Sequence, residues 1–293
     1  MPVFQPAPNR HLSLVNQATT NIHRAPPFRW LMLAGLALTA AQAHPASAAE
    51  AAVATESVRE RSELKLVVPA DRVPAAIATL RLAEKTPAPL DVVFFDTKDA
   101  ALQAKNLILR IRHKAGTPGD STVKIRTTAG EGTLSDVEQA IPPEFDWISA
   151  DAPSVSRSLN HKLPPDQYNA VLSGGASPAT LFSGKQRRLV EARIPAFPWT
   201  ELYAHGPVQA EVWDRQCKLK GFPKPVTVEH WNLKKGEQTA EILEVSVKVT
   251  ASSEAEAKAL ATVFFQAAEA AGFGRPSGQS KTQIVLNFFR PTP

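Results

Sequence analysis

Charged residues fall on every second position in several short stretches of this chain. These stretches are 63–66, 108–114, 122–126, 136–138 and 244–248. Successive side chains of a β-strand point to opposite faces, so each stretch predicts a strand with one charged face and one apolar face. The surroundings of the charged faces therefore decide both what the chain can fold into and what it can bind.

The first 49 residues have the pattern of a secretory signal. They contain Arg10, Arg24 and Arg29 but no Lys, Asp or Glu, and an apolar run covers residues 31–41. Small residues at Ala43 and Ala48 offer two cleavage positions, and the run is too short to span a bilayer. We expect a signal peptide (1–49), a linker (50–60) and a folded domain (61–290), with a periplasmic or secreted location and no stable membrane anchor after cleavage. An uncleaved anchor or a simple tail is the alternative.

Composition limits the partner classes. The formal net charge of +5 falls to about +2 once the three arginines of the leader are removed, so overall basicity does not indicate nucleic acid. The single cysteine, Cys217, excludes an internal disulfide and a cysteine-based zinc site. Binding of an anion must then come from local clusters of charge.

The order of the predicted elements favours an α+β fold, an antiparallel eight-stranded closed β-barrel with flanking helices. Strands are predicted at 133–141 and 181–194, among others, whereas residues 142–178 are predicted to be irregular apart from a helix at 165–172. An alanine-rich amphipathic helix is predicted at 253–271. A closed barrel of this size leaves room for side chains or one small ligand.

Two interpretations of the charged faces remain open. Antiparallel sheets often expose one face to water. If the faces instead line a tunnel, the enclosed charges must pair with one another or be neutralised by a ligand, because an isolated buried ion is very costly. A ligand with several phosphates and a divalent cation would meet both needs, since guanidinium groups match phosphate oxygens and carboxylates hold hard cations.

A set of short motifs, in order along the chain, resembles the CYTH superfamily of triphosphate tunnel metalloenzymes. That superfamily includes inorganic triphosphatases, thiamine triphosphatases and class IV adenylate cyclases. The resemblance covers residues from about 60 to 290. Its motifs are Ser62-Glu63-Leu64-Lys65, Phe94-Phe95-Asp96-Thr97, Leu109-Arg110-Ile111-Arg112, Lys124, Asp136-Val137-Glu138, Lys185-Gln186-Arg187 and Ser280-Lys281.

The resemblance implies metal-dependent hydrolysis of a triphosphate-containing compound inside the barrel. It implies a catalytic role for Lys65, which would orient or deprotonate the attacking water. The cofactor would be Mg²⁺ or Mn²⁺, and the partner a small triphosphate or polyphosphate and no nucleic acid. The implied phosphate-binding residues are Arg110, Arg112, Lys124, Arg187 and Lys281, and the implied metal ligands are Glu63, Glu138 and Glu244.

Three departures from the family pattern affect mainly the metal side. Arg61 replaces the first glutamate of the opening motif, Ser246 replaces the second carboxylate of the late acidic pair, and Leu134 stands where an arginine is expected. Glu229, across a predicted hairpin from Glu244, could replace one lost carboxylate. The losses motivate an alternative to hydrolysis, a catalytically silent module that binds polyphosphate or another polyanion. A third possibility is a structural domain whose charges pair internally.

Overall fold

Strands with alternating charged and apolar residues form the frame of the protein. The computed structural model describes residues 60–114, 117–127 and 133–290, and within them nine strands close into a barrel. The strands are β1 (Glu60–Val68), β2 (Ala88–Asp96), β3 (Leu107–His113), β4 (Gly119–Thr127), β5 (Glu144–Trp147), β6 (Ser154–Leu163), β7 (Tyr203–Lys218), β8 (Pro225–Lys235) and β9 (Gln238–Ala251).

The barrel closes in the order β1-β5-β6-β4-β3-β2-β7-β8-β9. The predicted α+β closed barrel with flanking helices is confirmed, with nine strands in the described ranges instead of eight. Two of the nine, β5 and β6, were not predicted and lie in a stretch predicted to be irregular. The β1–β5 pair is parallel, with Glu63 opposite Asp146, whereas the other neighbouring pairs are antiparallel.

Helices surround this barrel and also enter it. They are α1 (Val73–Thr79), α2 (Ala101–Ala104), α3 (Asp136–Gln139), α4 (Pro165–Leu172), α5 (Gly184–Glu191), α6 (Glu254–Ala270) and α7 (Lys281–Phe289). The predicted alanine-rich helix is α6, which packs against the outer face of β1 and β9. Among the described helices none is both long and apolar enough to cross a membrane.

Two predicted strands are helices, and capping boxes explain both. The Ser135 side chain accepts a hydrogen bond from the backbone N–H of Glu138, and the Glu138 carboxylate accepts one in return from the Ser135 backbone, which starts α3. Ser183 and Gln186 start α5 in the same way. Each box satisfies backbone donors that an isolated helix end leaves unpaired. The predictions of a strand at 133–141 and at 181–194 were therefore wrong.

The apolar residues form cores on both sides of the barrel wall. Outside, one core lies under α6 and α1, and another lies under α4 and α5. Inside, apolar side chains of β2, β7, β8 and β9 pack against Val285, Leu286 and Phe289 of α7. The C-terminal helix thus fills the apolar part of the lumen and leaves the remaining lumen to charged residues. The predicted signal peptide (1–49) and most of the linker lie outside the described residues, so both stay predictions.

Candidate functional site: a charged tunnel

The charged side chains of neighbouring strands point to the interior of the barrel. Across β3, β4 and β6 the residue pairs are Arg110 with Thr122, Thr122 with Asn160, and Lys124 with Ser158. Paired residues share one face of a sheet. Because all five of these side chains line the same cavity inside the barrel, the tunnel interpretation is confirmed over exposure to bulk water.

Two neighbouring cavities lie in the charged part of the barrel. The inner cavity has a volume of about 320 Å³ and is covered by residues 276–283, which lead into α7. The outer cavity, of about 840 Å³, opens beside the β3–β4 hairpin. Glu63, Arg112, Glu229 and Lys248 line both cavities. Volumes of a few hundred cubic ångströms are typical of small-molecule sites.

Asp146 on β5 is the centre of the first group of charges. Its Oδ1 lies 2.8 Å from Nζ of Lys65, its Oδ2 lies 2.7 Å from Nζ of Lys124, and the Ser156 hydroxyl donates to Oδ2 at 3.0 Å. Lys65 also lies 2.9 Å from Glu63. Burial opposes ionisation of Asp146, but the two ammonium groups outweigh it and hold its pKa well below the usual range. The parallel pairing of β5 with β1 creates this network.

The same network fixes the protonation state of Lys65. Burial tends to lower the pKa of this lysine, but the carboxylates of Glu63 and Asp146 outweigh burial and raise it. At neutral pH the side chain is therefore an ammonium, which donates hydrogen bonds and cannot accept a proton. This arrangement favours contact with an anion or orientation of a water molecule over the role of a general base.

Lys281 is the centre of a second group of charges. It contacts Glu229, lies 2.8 Å from Oε1 of Glu244, and stacks over the Trp231 ring at 4.3 Å from the centroid. The Trp231 indole donates to Glu229 at 2.8 Å. Although burial tends to raise the pKa of Glu229, the Lys281 ammonium lowers it to about 2. Glu229 and Glu244 are opposite each other on β8 and β9, as the sequence suggested.

Two cations of the inner cavity have no carboxylate partner within the described ranges. The buried Nε of Arg110 has no hydrogen-bond partner there, and the one side-chain hydrogen bond of Arg126 to another described residue goes to the Ser280 hydroxyl, at 3.1 Å. Burial and the nearby Arg112 lower the pKa of Arg110 to about 10, while burial also lowers the pKa of Arg126. Both guanidinium groups remain charged at neutral pH, so their unmet hydrogen-bonding capacity favours an anion in the cavity.

Seven of the nine predicted site residues line this tunnel. They are Glu63, Lys65, Arg110, Arg112, Lys124, Glu244 and Lys281. Arg112 is less enclosed than Arg110 and pairs with Asp120 at 3.2 Å.

The structure separates Glu138 and Arg187 from the other predicted site residues, because capping boxes make helices of both segments. Glu138 lies on α3 and pairs with Arg193, whereas Arg187 is exposed on α5. Neither lines the two cavities.

Several tunnel residues were absent from the predicted site, among them the charged residues Arg126, Glu144 and Asp146. The sequence Glu144-Phe145-Asp146-Trp147 alternates charged and aromatic residues, which is the same signal that identified the other strands. Its short length, within a stretch rich in proline and serine, concealed it. Arg126 lies two residues after Lys124 on β4, so both side chains point to the same face of the strand. The predicted strand therefore already placed Arg126 in the tunnel.

The tunnel carboxylates do not fit a divalent metal as they are arranged. Glu63 and Asp146 contact Lys65, and Glu229 and Glu244 contact Lys281. No group of three or more His, Cys, Asp or Glu side chains in the described ranges is arranged to hold a metal ion. A hard cation would first have to displace an ammonium group from one of these pairs. The predicted metal set of Glu63, Glu138 and Glu244 is not brought together, because Glu138 lies on α3 outside the two cavities.

Comparison with protein families agrees with the motif order. The CYTH domain model matches residues 61–187, which include β1 to β6 and the predicted basic segment at Lys185-Gln186-Arg187. No curated protein sequence matches the chain.

Solved structures share the barrel. One similar structure is the candidate adenylyl cyclase HpAC1 from Hippeastrum, for which a dominant triphosphatase activity is described. It is 19% identical to this chain, with a TM-score of 0.50, and the match covers 78% of this chain and 95% of HpAC1. Another is a candidate adenylate cyclase from Bacillus halodurans, 14% identical, with a TM-score of 0.50, over 77% of this chain and 97% of that one. At these identities the likeness shows the fold alone.

Proposed function

Because the chain carries a CYTH domain, we propose that its tunnel binds a linear chain of phosphoryl groups, such as tripolyphosphate or the triphosphate of a larger compound. The observation that carries the proposal is Arg110, a cation whose enclosed Nε has no partner among the described residues. A phosphate oxygen would accept the hydrogen bonds that Arg110 leaves unmade.

Neighbouring cations extend this anion site into a row. Arg110 and Arg112 lie on β3, and Lys124 and Arg126 lie on the adjacent β4, with all four side chains directed into the inner cavity. A row of cations on two neighbouring strands suits an extended anion better than a single phosphate. Lys124 is already shared with Asp146, so we expect Arg110 and Arg126 to provide the strongest contacts.

We expect titration calorimetry of the folded protein with tripolyphosphate to give one site per chain with micromolar affinity, in the range of about −8 kcal/mol. Orthophosphate, which spans fewer of the four cations, should bind at least about tenfold more weakly. Equal affinity for orthophosphate and tripolyphosphate would contradict a site for a phosphate chain, and the absence of binding would remove the proposed function.

Hydrolysis of the bound chain is a second candidate. It is supported by the triphosphatase activity described for HpAC1 and by the position of Lys65 beside the phosphate-binding row. In this arrangement Lys65 acts as an ammonium that holds a phosphate oxygen or a water molecule, and positioning with charge stabilisation supplies most of the acceleration in phosphoryl transfer.

The hydrolysis candidate predicts release of orthophosphate from tripolyphosphate, measured with and without Mg²⁺ or Mn²⁺. Lys65→Ala should lower the rate at least about tenfold, and Lys258→Ala, on the exposed face of α6, should leave the rate unchanged. Equal release by the protein and by Lys65→Ala would reject hydrolysis in this tunnel and leave the binding function.

A further inference from the structure

The Glu229–Glu244 pair already has a cation of its own. These carboxylates face each other across β8 and β9, and the ammonium of Lys281 contacts both. Two neighbouring carboxylates inside a barrel need a positive charge close by, because their repulsion and desolvation would otherwise favour the protonated forms. In this chain the positive charge is covalently attached, at the first residue of α7.

Helix α7 holds that charge in place from both ends. At its start, Ser280 accepts from the backbone of Gln283, and the Gln283 side chain accepts in return from the Ser280 backbone. Further along, Val285, Leu286 and Phe289 are buried in the apolar core of the lumen. Since Lys281 is anchored by this packing and by the Trp231 ring, little further ordering is needed to keep its Nζ at the carboxylates.

The other carboxylate pair of the tunnel is arranged in the same way. Lys65 lies 2.9 Å from Glu63 and 2.8 Å from Asp146. In each acidic pair one lysine ammonium thus contacts both carboxylates, while the guanidinium groups of Arg110 and Arg126 are left for an incoming anion. Among the described residues that line the inner cavity, seven cationic side chains outnumber five carboxylates, so the cavity needs no added cation.

We propose that Lys281 is a resident counter-ion that occupies the place of a divalent metal at Glu229 and Glu244, so that this tunnel binds its anion without metal. Binding of the anion without metal rests on the function proposed above. The role of Lys281 does not, because it can be tested by cation binding alone: without the ammonium group, the two glutamates should bind a divalent metal.

The variant Lys281→Met tests this directly, because methionine keeps an unbranched apolar side chain and removes only the charge. Calorimetric titration with Mn²⁺ alone should show at least about tenfold tighter binding to Lys281→Met than to the unchanged protein. Lys281→Arg, which retains a cation, should not gain this affinity. The double variant Lys281→Met with Glu244→Gln should lose it again, since only one of the two carboxylates remains.

A folding defect in Lys281→Met would not hide the result. A cation that binds only the folded state raises the thermal midpoint. Mn²⁺ should therefore raise the Tm of Lys281→Met and leave the Tm of the double variant unchanged.

EDTA should have no effect on tripolyphosphate binding by the unchanged protein. Two results would overturn the proposal: no gain of Mn²⁺ binding or Tm in Lys281→Met, or tight Mn²⁺ binding by the unchanged protein that Glu244→Gln abolishes. Failure of tripolyphosphate binding alone would overturn only the proposed function.

Discussion

Replacing Arg110 with methionine is expected to weaken tripolyphosphate binding by about 100-fold. Hydrogen bonds to charged groups contribute about 1.5–3 kcal/mol each, and two such bonds to phosphate oxygens account for a loss of this size. Calorimetry of the folded variant gives the measurement. Because Arg110 has no carboxylate partner among the described residues and its Nε is enclosed, methionine should leave the Tm at or above its original value.

The combination of lost binding and retained stability separates a ligand-binding residue from a structural one. A matched control is Arg187→Met, which removes the same charge from the exposed side of α5. That variant should bind tripolyphosphate as the unchanged protein does. If Arg110→Met keeps its affinity, or if Arg187→Met loses affinity to the same extent, the assignment of the phosphate row to β3 and β4 is wrong.

Replacing Asp146 with asparagine is expected to destabilise the fold by about 3 kcal/mol or more at neutral pH. Removal of one member of a buried ion pair leaves its partner charge uncompensated, and here two ammonium groups, Lys65 and Lys124, lose the same carboxylate. Chemical denaturation at pH 7 measures the loss. Tripolyphosphate should restore part of the stability, because it supplies negative charge to the same lysines and binds only the folded state.

Acid provides the second readout for this variant. Since the pKa of Asp146 is lower in the folded than in the unfolded chain, its contribution to stability is complete above the unfolded value of about 4 and is lost as pH falls below that value. Glu229, with its pKa lowered to about 2, adds to the same loss over the same window. Asp146→Asn should therefore show a shallower fall in stability between about pH 5 and pH 2. Stability at pH 7 equal to that of the unchanged protein would contradict a central role for Asp146.

Many of the strands and most of the charged lining of the barrel could be predicted from period-two alternation. Glu63, Lys65, Arg110 and Lys124 all lie in strands where this pattern is regular, and a regular pattern fixes which side chains share a face. The closure itself required long-range pairing of β1 with β5 and β9, which no local pattern encodes. Asp146 joins the site only through that pairing, although its own alternation was visible.

The errors arose where a local helix signal competed with a resemblance to strand motifs. Glu138 and Arg187 lie beside Ser135 and Ser183, each of which starts a capping box with a residue three positions later. A capping box satisfies two backbone donors at once, and this outweighed the alternation over the short segment 136–138. Lys281 lies within a third capping box, between Ser280 and Gln283, and its side chain still enters the tunnel, because α7 packs inside the barrel.

Lysines and arginines have different tasks in this tunnel. Lys65 and Lys281 neutralise the tunnel carboxylates and hold the walls together, whereas Arg110 and Arg126 keep hydrogen-bonding capacity for a ligand. The absence of a carboxylate at Arg61 and Ser246 agrees with this division, since a tunnel whose carboxylates contact its own lysines needs fewer acidic ligands for a metal.

A crystal structure of the protein grown with tripolyphosphate and EDTA would decide whether the tunnel binds a phosphate chain without metal. We expect a phosphate chain in the inner cavity, with oxygens within hydrogen-bond distance of the Arg110 and Arg126 guanidinium groups and with Lys281 still between Glu229 and Glu244. Tripolyphosphate bound outside the barrel, or an inner cavity that remains without ligand at saturating concentration, would contradict it.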